Sequence, residues 1–479
     1  MRNALQKLKK AYTKLFVKEH IILLIGFIAL TLPYFFRGFS LHGQESYFYY
    51  RISNLILGEN IPSYDFLSFG GRAFLYSIGS PLTLALIKLL SGISIETLLV
   101  FLPLIFGFLS LLLFYHILKY FKLRKNTLSF SCYLLILSPA FLYSFVHFTS
   151  FAIPLFLNLL GFYLVINKKK LYPYLAFLVY LMLSFFEFIH VLFGLLLIFF
   201  YFYKIKELKR FIPYSFIILL TLYLNNHFIK FGLDIINKKI YGYLFIFGGE
   251  YGLSIFLLFL AFFGLMYLWR RKYENIVYYL FFVINLFILV LNIKYLIYIS
   301  LILSILAAHG LKYIYKLRWN SLLIRDITII ILLGGVISSG ISFLAGNSHQ
   351  DPNDKIYNAL LLLREKTNPR DAVLSHEKYG IYINSIANRK NFVDVNKAYA
   401  PRAELRYYYL NKIFHSRDLT NTLKVFNEFR ITHILITPEM KNGLVWNTKN
   451  EGLLYLLNKN PEYFKLIYNQ GGIEVWELT

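Results

Sequence analysis

Runs of Leu, Ile, Phe and Val dominate the first 345 residues of the chain, broken by short basic connections. A helix needs about 20 apolar residues to cross the hydrocarbon core of a bilayer. Such runs begin near Ile21, Ile95, Thr127, Phe151, Leu171, Val191, Phe211, Gly252, Asn275, Tyr295 and Asp326, which predicts about eleven transmembrane helices. Tyr76–Leu90 is also apolar, but Gly79 and Pro81 interrupt it and Ser91-Gly92 ends it, so it is expected to lie in the membrane interface. The pattern changes at Gly346-Asn347-Ser348. Beyond it come the strand-like runs Ala372–Leu374, Ile431–Ile436 and Ile473–Trp476, with helical patterns at Asp354–Lys366 and Asp418–Phe429 between them. Alternating strand and helix predicts a small α/β domain. The expected organisation is therefore a polytopic α-helical membrane domain over 1–345, with a long first outer loop at 37–90, and a soluble α/β domain over 346–479.

Composition agrees with this division. Of 479 residues 58% are hydrophobic and 16% charged, which excludes an ordinary soluble enzyme and a disordered chain. The single cysteine, Cys132, excludes a disulfide scaffold. A net charge of +25 would suggest nucleic acid in a soluble protein, but +21 of it lies within 1–343, between the apolar runs. There positive charge sets orientation, and no nucleic-acid partner is expected. With the N-terminus inside, the inner connections carry 24 Lys and Arg and the outer ones eight. That bias predicts a multi-pass protein of the cell membrane, with a cytoplasmic N-terminus and an extracytoplasmic C-terminal domain. Met1–Lys18 and Ile21–Phe36 lack a small-residue cleavage site and are read as a retained first helix.

The outer side has the room for chemistry. In Gln44–Gly58, positions 48, 49, 52, 55 and 56 form an apolar stripe, while Arg51, Asn54 and Gly58 fall on another face. This predicts an amphipathic helix at the membrane surface. Glu45 sits in its first turn, where the helix dipole favours an anion; it either stabilises the helix end or does chemistry there. Glu187 and His190, at i and i+3, share a helical face at a span boundary. They are either a hydrogen-bonded helix-end pair or a second acid/base beside Glu45. Lys294 stands alone in an outer turn, where lysine either snorkels to the interface or meets an anion.

Glu45-Ser46-Tyr47-Phe48-Tyr49-Tyr50-Arg51, followed by Gly58, Asp65, Gly71-Arg72 and Pro81, resembles the first outer loop of the oligosaccharyltransferase catalytic subunit. More broadly the loop is similar to that of the GT-C class of membrane glycosyltransferases, which use polyprenyl-linked sugars. The resemblance implies that Glu45, matching the family's acidic residue, is catalytic or metal-binding, with Mg²⁺ or Mn²⁺ as the ion. Tyr379-Gly380-Ile381-Tyr382-Ile383, with Asn388-Arg389 and Asp394, resembles the segment carrying the family's WWDYG signature. By position Glu250 resembles the flexible-loop glutamate that engages the acceptor, and Lys294, Arg72 or Arg51 would meet the donor phosphate.

Two departures stand beside the matches. His376-Glu377-Lys378 occupies the place of Trp-Trp-Asp, and a lysine cannot accept the hydrogen bond that the family's Asp takes from an Asn-x-Ser/Thr acceptor. His376, Glu377 and Lys378, with Tyr379, either line an acceptor surface of altered chemistry or are simply solvated residues of the outer domain. Phe145–Ser150, at the place of the second metal-binding loop, carries no carboxylate. No P-loop, dinucleotide fingerprint, HExxH or nucleophile elbow occurs in its proper context. The expected activity is transfer of a sugar or oligosaccharide from a polyprenyl-(pyro)phosphate carrier in the membrane lipid to a protein or glycan acceptor outside. A secondary transporter, or a non-catalytic scaffold for cell-surface glycan or lipid assembly, is the alternative. Carriers tend to show repeated halves and midplane charge, and neither is present in the sequence.

Overall fold

The computed structural model describes residues 19–58, 61–167, 169–225, 252–270, 272–291, 295–397, 400–448 and 450–479. These fall into two compact units, one from residues within 1–40, 77–80 and 97–349, the other from 41–76, 81–96 and 350–479. The loop after the first helix thus belongs largely with the C-terminal residues.

The first unit is built of apolar helices, and a helix stands at each position where a span is expected. Among the described residues five helices are long and apolar enough to cross a membrane: Glu19–Arg37, Ile95–Tyr120, Lys272–Val290, Leu296–Lys316 and Leu322–Gly346. Lys125–Ile136 and Pro139–Val146 make a sixth if taken together, bent by 61° at their junction. Pro139 causes the break: it drives Ser138 to an extended conformation at ψ 121° and opens the next helix at its first turn. The helices described at the other expected spans are shorter, at 12 to 17 residues.

Packing in this unit uses small residues and buried polar staples. Ile255–Trp269 and Leu296–Lys316 meet backbone to backbone, Gly264 against the Leu306 carbonyl and Gly310 against the Leu260 carbonyl, with no room for a Cβ at either. Arg37, at the end of the first helix, donates to Val146 O at 2.6 Å and Asn347 O at 3.0 Å. Its guanidinium thereby meets the carbonyl ends of two further helices, where a cation is favoured, and stacks over Tyr34.

The second unit has a five-stranded mixed sheet, order β4-β3-β5-β7-β6. Its strands are β3 (Ala372–Leu374), β4 (Lys390–Asn391), β5 (Ile431–Ile436), β6 (Phe464–Gln470) and β7 (Ile473–Leu478); β1 (Tyr64–Asp65) and β2 (Arg72–Ala73) form a small hairpin in the loop. β3 runs parallel to β4 and β5, whereas β7 is antiparallel to β5 and β6. Val373, Leu374, Ile434, Leu435, Ile436 and Val475 fill the core with less than 1% exposure. The helix Asp354–Lys366 starts where Asn353 accepts the Ile356 N–H at 2.9 Å, and Leu419–Phe429 where Asp418 accepts that of Asn421 at 3.1 Å.

Candidate active site

The helix Gln44–Gly58 places Glu45 in its first turn, half-buried. Its inward face differs from the apolar stripe read in the sequence. Ser46, Tyr47, Phe48, Tyr49, Arg51, Ile52 and Ser53 are buried, while Leu55 and Ile56 are partly open to solvent. The reason is Asp65, which takes both Arg51 terminal nitrogens at 2.8 and 2.6 Å and draws the arginine inward. Burial opposes ionisation of Asp65, but Arg51 and the Leu67 and Ser68 N–H groups hold its carboxyl below the usual range. Arg51 is thus committed to the loop's own framework. Arg72 is also buried; it donates to Asn396 O at 2.6 Å and lies 5.0 Å from the centre of the Tyr76 ring.

The segment after β3 forms the short helix Glu377–Tyr382, capped by His376, whose Nδ1 accepts the Lys378 N–H at 3.2 Å. Burial lowers the His376 pKa, so the imidazole is neutral at pH 7. With Nδ1 accepting, its proton sits on Nε2. Gly380 is required by close approach: a Cβ there would overlap Val393 O and lie 2.6 Å from Asp394 Cβ. Asn391 ties this segment to the loop. Its Nδ2 donates to Gly380 O at 3.0 Å and Asp394 Oδ2 at 2.8 Å, and its Oδ1 accepts the Phe69 N–H at 2.7 Å.

A second set of contacts reaches the turn before Glu45. Asp351 O accepts the Gly43 N–H at 2.9 Å, and Asp351 N donates to His42 Nδ1 at 3.2 Å. The Asp351 carboxylate accepts the Tyr382 hydroxyl at 2.7 Å, and the Tyr382 ring meets Tyr47 edge-on at 5.3 Å. Burial raises the Asp351 pKa, with the Tyr382 hydrogen bond offsetting part of the rise. The two segments that carry the family resemblance, 45–51 and 379–383, are therefore joined through Asp351. Nearby, Glu439 accepts from Lys378 Nζ at 2.5 Å and from the Tyr379 hydroxyl at 2.9 Å. Burial disfavours the Glu439 anion, yet these two donors hold its pKa below the ordinary value. Glu377 takes the Tyr407 hydroxyl.

Glu187 and His190 belong to the first unit, with Glu187 just before the helix Phe188–Lys204 and its carbonyl accepting the His190 N–H at 3.0 Å. The His190 ring turns to Tyr298, Nδ1 to hydroxyl at 2.7 Å, and packs edge-on to Phe151. Lys294 and Glu250 lie outside the described residues. Among the described residues no three His, Cys, Asp or Glu side chains converge to hold a metal, so the expected Mg²⁺ or Mn²⁺ finds no such ligand set around Glu45.

Asp351, Asn391 and Glu439 escaped the sequence reading. For Glu439 a signal existed. It follows β5 as His376–Lys378 follow β3, and these adjacent parallel strands end on one edge, where α/β sheets commonly bind ligands. Asp351 and Asn391 are single polar residues whose partners come from distant parts of the chain, and nothing local marks them.

No protein-family model matches the sequence, and neither does any curated protein. Solved structures do match. The archaeal oligosaccharyltransferase AglB from Archaeoglobus fulgidus, in complex with an inhibitory peptide and a dolichol-phosphate, is 14% identical with a TM-score of 0.59, covering 98% of this chain and 74% of that one. An Archaeoglobus fulgidus oligosaccharyltransferase in complex with zinc and sulfate is 15% identical with a TM-score of 0.60, over 95% and 73%. ArnT from Cupriavidus metallidurans is 10% identical with a TM-score of 0.55, over 98% of both chains. At such identities the likeness establishes the fold, and the chain is a polytopic membrane protein with the fold of the GT-C glycosyltransferases, resembling oligosaccharyltransferase in particular.

Proposed function

We propose that this protein is a membrane glycosyltransferase that moves a sugar or oligosaccharide from a polyprenyl-(pyro)phosphate carrier to an extracytoplasmic acceptor. The observation that carries the reading is the clasp at Asp351, which holds the turn before Glu45 and, through Tyr382, the segment 376–382. This supports reading Glu45, at the start of its helix, and the segment 376–382 as parts of one site. The dolichol-phosphate and peptide bound by the archaeal relative supply the model for a lipid donor arriving from the bilayer and an acceptor arriving from water.

In this reaction an acceptor oxygen or nitrogen attacks the anomeric carbon while the carbon–oxygen bond to the carrier phosphate breaks. The phosphate leaves with the bonding electrons, and Glu45 takes the acceptor's proton as general base. Lys294 is the candidate for offsetting the phosphate charge, since Arg51 is paired with Asp65 and Arg72 is committed to Asn396 O.

The test is to give full-length protein in vesicles labelled polyprenyl-linked sugars extracted from native membranes, and to follow the label. Sugar separated from its lipid and joined to an acceptor supports the enzyme. Label carried across the vesicle membrane on an unmodified lipid supports a transporter instead.

A further inference from the structure

β3 and β5 lie side by side and parallel, so the residues that follow them, 375–379 and 437–439, leave the sheet at one edge. There a built arrangement forms. Thr437 Oγ1 donates to the Tyr379 hydroxyl oxygen at 3.0 Å, which directs the Tyr379 proton to Glu439 Oε2 at 2.9 Å. The same Oε2 takes Lys378 Nζ at 2.5 Å, while Glu439 Oε1 has no hydrogen-bond partner among the described residues. The Lys378 and Glu439 side chains are 35% and 57% exposed, yet Tyr379, which orients the carboxylate, is only 1% exposed. An ion pair this open to solvent adds little stability. Its anchoring by a buried tyrosine and threonine is explained better by recognition.

We propose that the Lys378–Glu439 pair grips two neighbouring hydroxyls of a carbohydrate acceptor, so that the chain glycosylates a glycan rather than the asparagine of a peptide; this rests on the glycosyltransferase reading above. A hydroxyl both donates and accepts. Glu439 Oε1 accepts from one hydroxyl of a vicinal pair, and Lys378 Nζ, with protons to spare, donates to the oxygen of the other. The His376 Nε2–H, fixed by the cap on Nδ1, is a third donor on the same segment. A Ser or Thr side chain brings one hydroxyl, which satisfies one member of the pair and crowds water away from the other. The Asp351 clasp ties this segment to the turn two residues before Glu45, so the bound hydroxyl lies within the same unit as the proposed base.

The test uses full-length protein in vesicles, labelled polyprenyl-linked sugars from native membranes, and two acceptor fractions of the cell envelope: protease-digested glycan and delipidated protein. Wild type is expected to label the glycan fraction. Periodate treatment of that fraction, which cleaves vicinal diols, should abolish labelling. Glu439→Gln and Lys378→Gln should raise the acceptor KM at least tenfold while leaving the donor KM and the Tm at wild-type values. Label on asparagine of the protein fraction, indifference to periodate, or an unchanged acceptor KM in Glu439→Gln overturns the carbohydrate assignment. Failure of the underlying reading looks different: wild type would then label neither fraction, or Glu45→Gln would label both at the full rate.

Discussion

Ser68 donates a hydrogen bond to Asp394 at 2.8 Å across 326 residues of chain, with both side chains buried. The same carboxylate accepts Asn391 Nδ2 and the Asn396 N–H, each at 2.8 Å, so one anion holds three donors from two distant segments. Removing the hub should cost more than removing one spoke. Ser68→Ala is expected to cost about 1 kcal/mol, and Asp394→Ala about 3 kcal/mol because it leaves buried donors without a partner. Thermal unfolding in detergent measures both, and equal losses would mean the hub is not shared.

Arg51 and Asp65 form a buried pair, which predicts an asymmetry between single and double replacement. Arg51→Met or Asp65→Leu should each destabilise by about 3–5 kcal/mol, and the double variant by less than their sum. The pH dependence has a defined sign. The folded Asp65 pKa lies below its unfolded value, so the pair's contribution is present above the unfolded pKa and is lost as pH falls through the folded one. The stability gap between wild type and Asp65→Asn should therefore narrow on acidification.

Asp351 titrates in the opposite sense. Its folded pKa is raised by burial, so the unfolded chain ionises first and stability declines as pH rises above the unfolded pKa. Asp351→Asn keeps an oxygen for the Tyr382 hydroxyl and removes the charge. The variant should match or exceed wild-type Tm at pH 7, with the difference vanishing in acid.

Gly380→Ala tests the contact between the helix Glu377–Tyr382 and residues 393–394. The added methyl overlaps Val393 O and crowds Asp394, so the helix must shift. Overpacking of this kind costs about 1–3 kcal/mol. Since Asn391 reads the Gly380 carbonyl, the shift should also disturb the loop, visible as faster proteolysis between residues 61 and 76.

Much of the fold was legible because it follows from periodicity. Ile431–Ile436 and Ala372–Leu374 read as strands, and Asp354–Lys366 as a helix, from local pattern alone. β4 was not legible: Lys390 and Asn391 carry no strand signal and pair only because β3 offers its backbone edge. β6 was not read as a strand either, although Phe464-Lys465-Leu466-Ile467-Tyr468 carries a strand-favouring composition. Arg51 shows the limit of helical patterning, for its spacing put it on the polar face while a carboxylate fourteen residues on decided the matter. At the site, Glu45 and His376–Tyr379 stood out by position, but the groups that join them depend on partners hundreds of residues apart. Glu187 and His190 share a face in sequence, whereas the contact of the His190 ring with Tyr298, 108 residues on, has no local signal.

The most direct measurement is the initial rate of sugar release from labelled polyprenyl-linked donor, with acceptor present, for wild type and Glu45→Gln. Loss of a general base predicts a fall of about 10²- to 10⁴-fold in kcat, with the Tm and the donor KM retained. Equal rates for the two proteins would contradict the account and leave Glu45 as a helix-end residue.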